Sequence, residues 1–331
     1  MKRLLILILV LATGWSAYWF IGSRGAKAAF AGWFDDRRAE GWQADYADLS
    51  VIGFPSRFDT TFTNLAIADP ATGWAWEAPF FQLLALSYRP TSVIAVFPPD
   101  SIIATPVEQF ALTTSDTKAS LSLDPSPRLP LNKVTLIGSD IALTGTGRLS
   151  LDTLRLAGER LPVSTSAYRL GALAQGVALP APFVRKLAQG IALPPALERV
   201  ELDMNVTFDR PWDLDAVEQL RPQPREIDLS LVKAEWGALR LAATGKITVD
   251  AIGQPKGSVS IKAEQWRDML RVAVAAGALP EAVAQSVERA LGLVANLSGR
   301  PDSLNVTLDF RDGRMFLGPV PIGAAPVVRL R

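Results

Sequence analysis

From Asp48 onward the apolar positions of the chain recur every second residue, the repeat of a strand buried on one face. The clearest stretch is Leu239 to Trp266. Leu239, Leu241, Ala243, Gly245, Ile247 and Val249 alternate with Arg240, Thr244, Lys246, Thr248 and Asp250. Gly253-Gln254-Pro255-Lys256-Gly257 then reverses the chain, and Val259, Ile261 and Ala263 resume the apolar side, which predicts an antiparallel hairpin. The same alternation runs through Val200, Leu202, Met204, Val206 and Phe208, and through Leu304, Val306, Leu308 and Phe310 up to an Asp312-Gly313 turn. It also runs from Ile141 through Leu143, Gly145, Gly147 and Leu149 to Leu151, which reads as one strand containing Gly145-Thr146-Gly147. Upstream, DLSVIGFPSRFDTTFTNLAIADP (48–70) carries a Gly-Phe-Pro break. A strand follows it with Phe58, Thr60 and Phe62 on one face and Arg57, Asp59 and Thr61 on the other. The expected fold class is mainly β (α+β): an antiparallel β meander forming a curved sheet or groove, with a few helices packed on it, after an N-terminal transmembrane helix.

The helical period is confined to a few places. Met1-Lys2-Arg3 precedes an uncharged run, Leu4 to Gly22, close in length to the ~30 Å hydrocarbon layer at ~1.5 Å rise per residue. Trp15, Tyr18 and Trp19 gather at its far end, where amphipathic rings favour the interface. The rival reading is a cleaved signal peptide with Ala26-Lys27-Ala28 as its site. The apolar run exceeds the ~7–15 residues of such a segment, and Arg24 intervenes before the site. Residues 1–27 are therefore expected to be a cytoplasmic tip and transmembrane anchor. Residues 28–47 then form an amphipathic linker helix whose Phe30, Trp33, Phe34 and Trp42 pack on the β body. A first β-rich half is expected over 48–195, ending at Leu193-Pro194-Pro195, and a second over 196–331, with a helix pair at 265–295 whose stripe is Val283, Val287, Leu291 and Val294. Shorter helices are expected at Pro182 to Gln189 and after a capping Asp213.

Composition narrows the chemistry. Of 331 residues none is Cys and none is His, so disulfides, thiol nucleophiles, a Ser-His-Asp triad and the usual zinc sites are absent. No G-x-S-x-G elbow and no phosphate-binding Gly-rich loop with its Lys is present. Carboxylate-only catalysis stays open in principle, because any two of the 33 acidic residues could meet in space. Asp35, Asp36 and Glu40, beside Arg37 and Arg38, read as a solvated helix face. The net charge of +1, with both signs interspersed, argues against nucleic acid as a partner. No cofactor is expected, and the chain is not expected to be an enzyme. Of the Asn205, Asn296 and Asn305 glycosylation-type triplets, two lie within expected strands with Asn and Thr on the polar face, which explains them without a glycan.

The hairpin from Leu239 to Ile261 turns six large aliphatic side chains one way, and burying each contributes about 1.5–3 kcal/mol. That face must be covered: by a second sheet, by the two C-terminal helices, or by lipid acyl chains. Periodicity leaves core and groove both open.

VIGFPSRFDTTFTNLAI, WAWEAPFFQLLALSYRPTSVIAVFP and LDFRDGRMFLGPVPIGAAP, following an anchor, resemble the bacterial domain-of-unknown-function family 2125 over nearly the whole chain. That family has no established activity and transfers no catalytic residue. The hairpin TGKITVDAIGQPKGSVSIKAE is similar to units of the AsmA-like envelope proteins. That similarity implies an inner-membrane anchor, a β-rich periplasmic groove and a part in phospholipid movement or outer-membrane homeostasis. The expected protein is single-pass in the bacterial inner membrane through residues 4–22, with a cytoplasmic N-terminus and the bulk of the chain periplasmic. It would bind or shield a phospholipid or other apolar envelope component. The candidate groove lining is Phe58, Phe62, Leu239, Leu241, Ile247, Val249, Val259 and Ile261. The alternative is a scaffolding protein with a dry core that acts through protein partners.

Overall fold

The computed structural model describes residues 1–218, 220–297, 300–318 and 320–330; the side chains of 217, 218, 282, 283, 290, 293, 294, 296, 297 and 320 are also outside the description. Val283 and Val294 of the expected stripe, Ser298 of the Asn296 triplet and Pro319 therefore lie outside the described residues or side chains. The architecture is mainly antiparallel β with a few helices and an apolar N-terminal helix, as the period-two pattern implies. Two compact units are formed, residues 1–125 with 134–146 and residues 126–133 with 147–331.

The first unit begins with α1 (Lys2–Ala39), a continuous helix. The amphipathic helix expected over 28–47 does continue from the anchor, with no proline to interrupt the run, but it stops short of 47, at Ala39, just before Gly41 takes φ +89. There Trp42 N donates to Arg37 O at 3.0 Å and Gly41 N to Arg38 O at 3.0 Å, a Schellman stop. The chain then enters β1 (Gln43–Asp45) and β2 (Asp48–Ile52), both paired with β3 (Arg57–Asp69). β4 (Trp74–Leu86) pairs with β3 along its whole length and then forks. Gln82 to Leu86 pair with β5 (Arg89–Val96), and Ala75 to Glu77 with β6 (Asp100–Ala104). β7 (Gln109–Thr113) pairs β6 and β9 (Leu131–Thr144), while β8 (Asp116–Leu123) pairs β5. The core joins Phe34, Ala44, Leu49, Phe62 and Leu65, closed by Phe30, Trp42, Tyr46 and Phe81. Of the aromatic positions expected to pack on the β body, Phe30, Phe34 and Trp42 do, while Trp33 is 43% exposed.

Gly145-Thr146-Gly147 is a bend between β9 and β10 (Arg148–Arg160), not the interior of a strand. A Cβ at Gly145 would run into the Glu108 carboxylate, which also accepts a hydrogen bond from the Thr146 N–H. Alternating small residues mimicked a strand there because glycine carries no side chain to mark a face.

The second unit is a meander in which each strand pairs with the next. Its strands are β10, β11 (Ala167–Ala178), β12 (Ala196–Phe208), β13 (Pro224–Trp236), β14 (Leu239–Val249), β15 (Pro255–Glu264), β16 (Ser303–Arg311), β17 (Arg314–Leu317) and β18 (Val320–Ala324). β11 and β12 pair from Ala167–Thr207 to Ala178–Ala196, so the strands on either side of the proline-rich connector expected to divide the chain near 195 share one ladder and one unit. The β14–β15 hairpin forms in the expected phase, with Leu241 opposite Ala263 and Val249 opposite Pro255. β16 turns into β17 through Asp312 at φ +52 and Gly313 at φ +68, the pair of positive φ values a two-residue hairpin requires. Helix α2 (Ala181–Ala188) follows β11. α3 (Leu214–Glu218) starts where Asp213 accepts the Ala216 N–H at 3.1 Å. α4 (Trp266–Ala275) and α5 (Glu281–Leu297) stand between β15 and β16.

Candidate functional site

The register of the second unit turns strand alternation into rows that cross the sheet. One row reads Leu156, Ala172, Leu202, Val232, Ala243, Ile261 and Val306 from β10 to β16. Beside it, Leu170, Met204, Leu229, Gly245, Val259 and Leu308 form a second row, with Ser230 taken up in a bulge that keeps Leu229 and Val232 on the same face. No charged residue interrupts either row. Cβ atoms on one face of a strand are two residues apart, so the rows make one continuous apolar surface seven strands wide.

The two ends of that surface are covered by protein. At one end α4 and α5 bring Trp266, Leu291 and Ala295 over Ala263 and Leu304, and α2 brings Leu187 against Trp236, Leu239 and Ala275. Trp266 is held in place by its indole N–H, which donates to Pro301 O at 2.9 Å. At the other end Tyr168, Val206 and Phe208 form a cluster with Trp212 and Leu131. Between these ends Leu202, Met204, Val232 and Ile261 are only half-buried, and Leu156 and Val200 keep 39% and 38% exposure.

The opposite face of the same strands is charged and internally paired. Arg169 donates from Nε to Asp203 Oδ1 at 2.9 Å and from Nη2 to Oδ2 at 2.6 Å. These bonds hold the Asp203 carboxyl below its ordinary range and raise the Arg169 guanidinium. Lys233 likewise lowers Glu235, and Lys246 and Arg240 pair with Asp228 and Glu264. A shallow depression of about 360 Å³ sits here over Ala157 and Gly171, where the side chains are smallest. Its Arg169 and Asp203 already satisfy each other, so it offers little to a charged ligand.

In the first unit a cleft of about 480 Å³ opens where β4 leaves β5 for β6, lined by Leu65, Ala78, Ile102 and Leu112 with Glu77 and Asp100. Pro79, which has no N–H to donate, and Asn64 at φ +48 mark the break in the ladder. Among the described residues no group of three or more acidic side chains could hold a metal ion.

The eight candidate lining residues are divided between the two units. Phe58 and Phe62 belong to the first unit and face α1: Phe62 is 3% exposed among Phe30, Phe34 and Tyr46, and a Cβ at Gly22 would lie 2.7 Å from Phe58 Cζ. The remaining six share one face of β14 and β15, as their spacing indicated. Leu239, Val249 and Val259 are buried in protein, while Leu241, Ile247 and Ile261 are half-buried. Missing from the sequence reading were β11 and β13, whose Ala172, Leu229 and Val232 complete the surface. Their period-two pattern is blurred by the small residues of β11 and by the bulge of β13.

A family model described as an uncharacterized protein conserved in bacteria, DUF2125, matches residues 19–326. No curated protein and no solved structure matches the chain. The hairpin's resemblance to AsmA-like envelope proteins gains no support from these comparisons.

Proposed function

We propose that this chain, which belongs to DUF2125, a family of uncharacterised proteins conserved in bacteria, is a non-enzymatic membrane-anchored envelope protein that shelters the acyl part of a lipid on the apolar face of its second unit. The observation that carries this reading is the seven-strand apolar surface on whose middle rows Leu202, Met204, Val232 and Ile261 stay half-buried and Leu156 exposed, beside the buried Ala243 and Val259 and between covered ends. Apolar side chains left in this state forfeit part of the ~25 cal/mol per Å² that burial returns, and an acyl chain laid across the rows would recover it. A lipid headgroup would stay in water, since the rows contain no charged partner for it.

The anchor in this reading is α1, which contains a stretch long and apolar enough to cross a membrane, with mean hydropathy 2.1 and little of it buried. Lys2 and Arg3 favour a cytoplasmic N-terminus by the positive-inside rule, which would put both units in the periplasm. The absence of His and Cys from the whole chain supports a binding role over a catalytic one.

The test is photo-cross-linking in living cells with a photoreactive amino acid at Val232 or Ile261, compared with the neighbouring Lys233 or Lys262 on the charged face. Lipid adducts found by mass spectrometry at the first pair alone would support the reading. Equal labelling of both faces, or none at Val232 and Ile261, would sink it.

A further inference from the structure

The Gly-Phe-Pro break lies against the apolar helix, and its position has a geometric consequence. Three side chains of α1 donate to backbone carbonyls in two connections of the first unit and at the first residue of β3. Trp15 Nε1 reaches Pro55 O at 2.9 Å, Tyr18 OH reaches Ser87 O at 2.6 Å, and Trp19 Nε1 reaches Arg57 O at 2.7 Å. Phe54 stacks on Phe20 at 5.7 Å and meets Trp19 edge-on at 5.5 Å. The β2–β3 loop and the β4–β5 turn are therefore fastened to the helix at the level of residues 15–20.

A helix rises ~1.5 Å per residue, so from Leu4 the Trp15 level is about 17 Å up the axis and the Trp19 level about 22 Å. Counted from Met1, the same levels are about 21 Å and 27 Å. Both fall short of the ~30 Å hydrocarbon layer, and tilting the helix lowers them further. If α1 spans a bilayer, the two connections cannot stand clear of it.

Their chemistry fits that position. Several side chains around the docking site are apolar or aromatic and open: Ile52 is 61% exposed, Phe54 51%, Leu86 39% and Tyr88 59%, next to Trp15, Tyr18 and Phe20 of the helix, with the exposed Arg57 and Arg89 beside them. Several of the backbone polar groups there, which a lipid environment cannot satisfy, are already paired. Besides the three carbonyls, Arg57 N donates to Gly53 O and Ser87 N to Ser56 O, each at 2.9 Å, and Ser87 is fully buried. Arg24 and Lys27, exposed one to two turns further along α1, lie where lipid phosphates would meet them.

We propose that the Gly53–Ser56 loop and the Ser87–Tyr88 turn form a membrane-seated foot, embedded in the outer part of the leaflet from which α1 emerges, where its acyl chains meet the interfacial layer. The foot gives the first unit a second attachment to the bilayer and fixes its height and rotation on the anchor. This inference rests on α1 spanning the membrane, and the experiment separates the two claims.

The chain has no native cysteine, so single-cysteine variants Leu9→Cys, Ile52→Cys, Tyr88→Cys and Val107→Cys of the full chain can each carry one bimane label. Ile52 and Tyr88 are exposed, so their replacement leaves the loop's bonds in place. Val107, 93% exposed in the turn between β6 and β7, lies beyond the end of β4 remote from Leu86. The labelled proteins are placed in phosphatidylethanolamine–phosphatidylglycerol vesicles containing lipids with a nitroxide near the headgroup or deep in the acyl chain. Expected are loss of emission at Leu9 with the deep quencher, loss at Ile52 and Tyr88 with the shallow one, and no loss at Val107. Quenching at Leu9 with Ile52 and Tyr88 as bright as Val107 would overturn the foot and leave the anchor, giving that patch to water or a protein partner. No quenching at Leu9 would overturn the anchor and the foot together.

Discussion

Replacing Phe62 with alanine tests what the apolar face after the Gly-Phe-Pro break is turned towards. The ring is 3% exposed and lies 5.4 Å from Phe30, 5.5 Å from Phe34 and 6.0 Å from Tyr46, centroid to centroid. Emptying such a site costs about 3–5 kcal/mol in transferred area and residual cavity. Edge-to-face partners such as Phe30 and Tyr46 add about 0.5–1.5 kcal/mol per pair, which places the value in the upper part of that range. At ~1.4 kcal/mol per decade the upper part of the range, about 4–5 kcal/mol, raises the opening equilibrium about seven-hundred- to a few-thousand-fold. The assay is hydrogen exchange by mass spectrometry on β3 and β4 peptides of the full chain in detergent, where amides in the ladder report opening of the unit around them. Ile94→Ala, at a position 46% exposed, serves as the control and should stay within about 0.5 kcal/mol of the parent. An acceleration below about tenfold in Phe62→Ala would refute the core assignment. Unchanged protection together with loss of a bound lipid would show that the ring faces a ligand instead.

Two further outcomes follow from local geometry. Gly257 sits at φ +138 with the position of a Cβ blocked by Lys246 O, so Gly257→Ala should destabilise the β14–β15 ladder by more than about 1 kcal/mol; unaltered exchange across β14 and β15 would contradict this. The Asp203 carboxyl is held below its ordinary value of 3.8 by its two hydrogen bonds from Arg169. A depressed folded value means that its stabilisation is complete above that ordinary value and is lost as pH falls through the lowered one. The pair faces solvent, so its effect on stability is small and the cleaner readout is the carboxyl resonance. Arg169→Gln should move the Asp203 titration back up towards 3.8, and an unmoved midpoint would refute the cause assigned.

Much of this protein was legible because it is written in local periodicity. The apolar run 4–22, the alternation of 239–263, the capping Asp213, the Asp312-Gly313 turn and the pair of C-terminal helices each depend on neighbours a few residues away, and each stands where the pattern put it. The absence of His and Cys was likewise a property of the chain before it folds. What only the tertiary structure decided depends on register and docking between distant segments. Alternation places Leu202 and Ile261 each on an apolar face, but only the strand pairing lays them in one row with Val232 and Leu156. It gives Phe62 the same pattern as Ile261, and only the packing of α1 buries the first among aromatic rings while the second stays half-open. The Trp15, Tyr18 and Trp19 cluster looked like an interfacial belt by sequence. Its bonds to Pro55, Ser87 and Arg57 span 38 to 69 residues of chain, a separation at which no periodicity carries information.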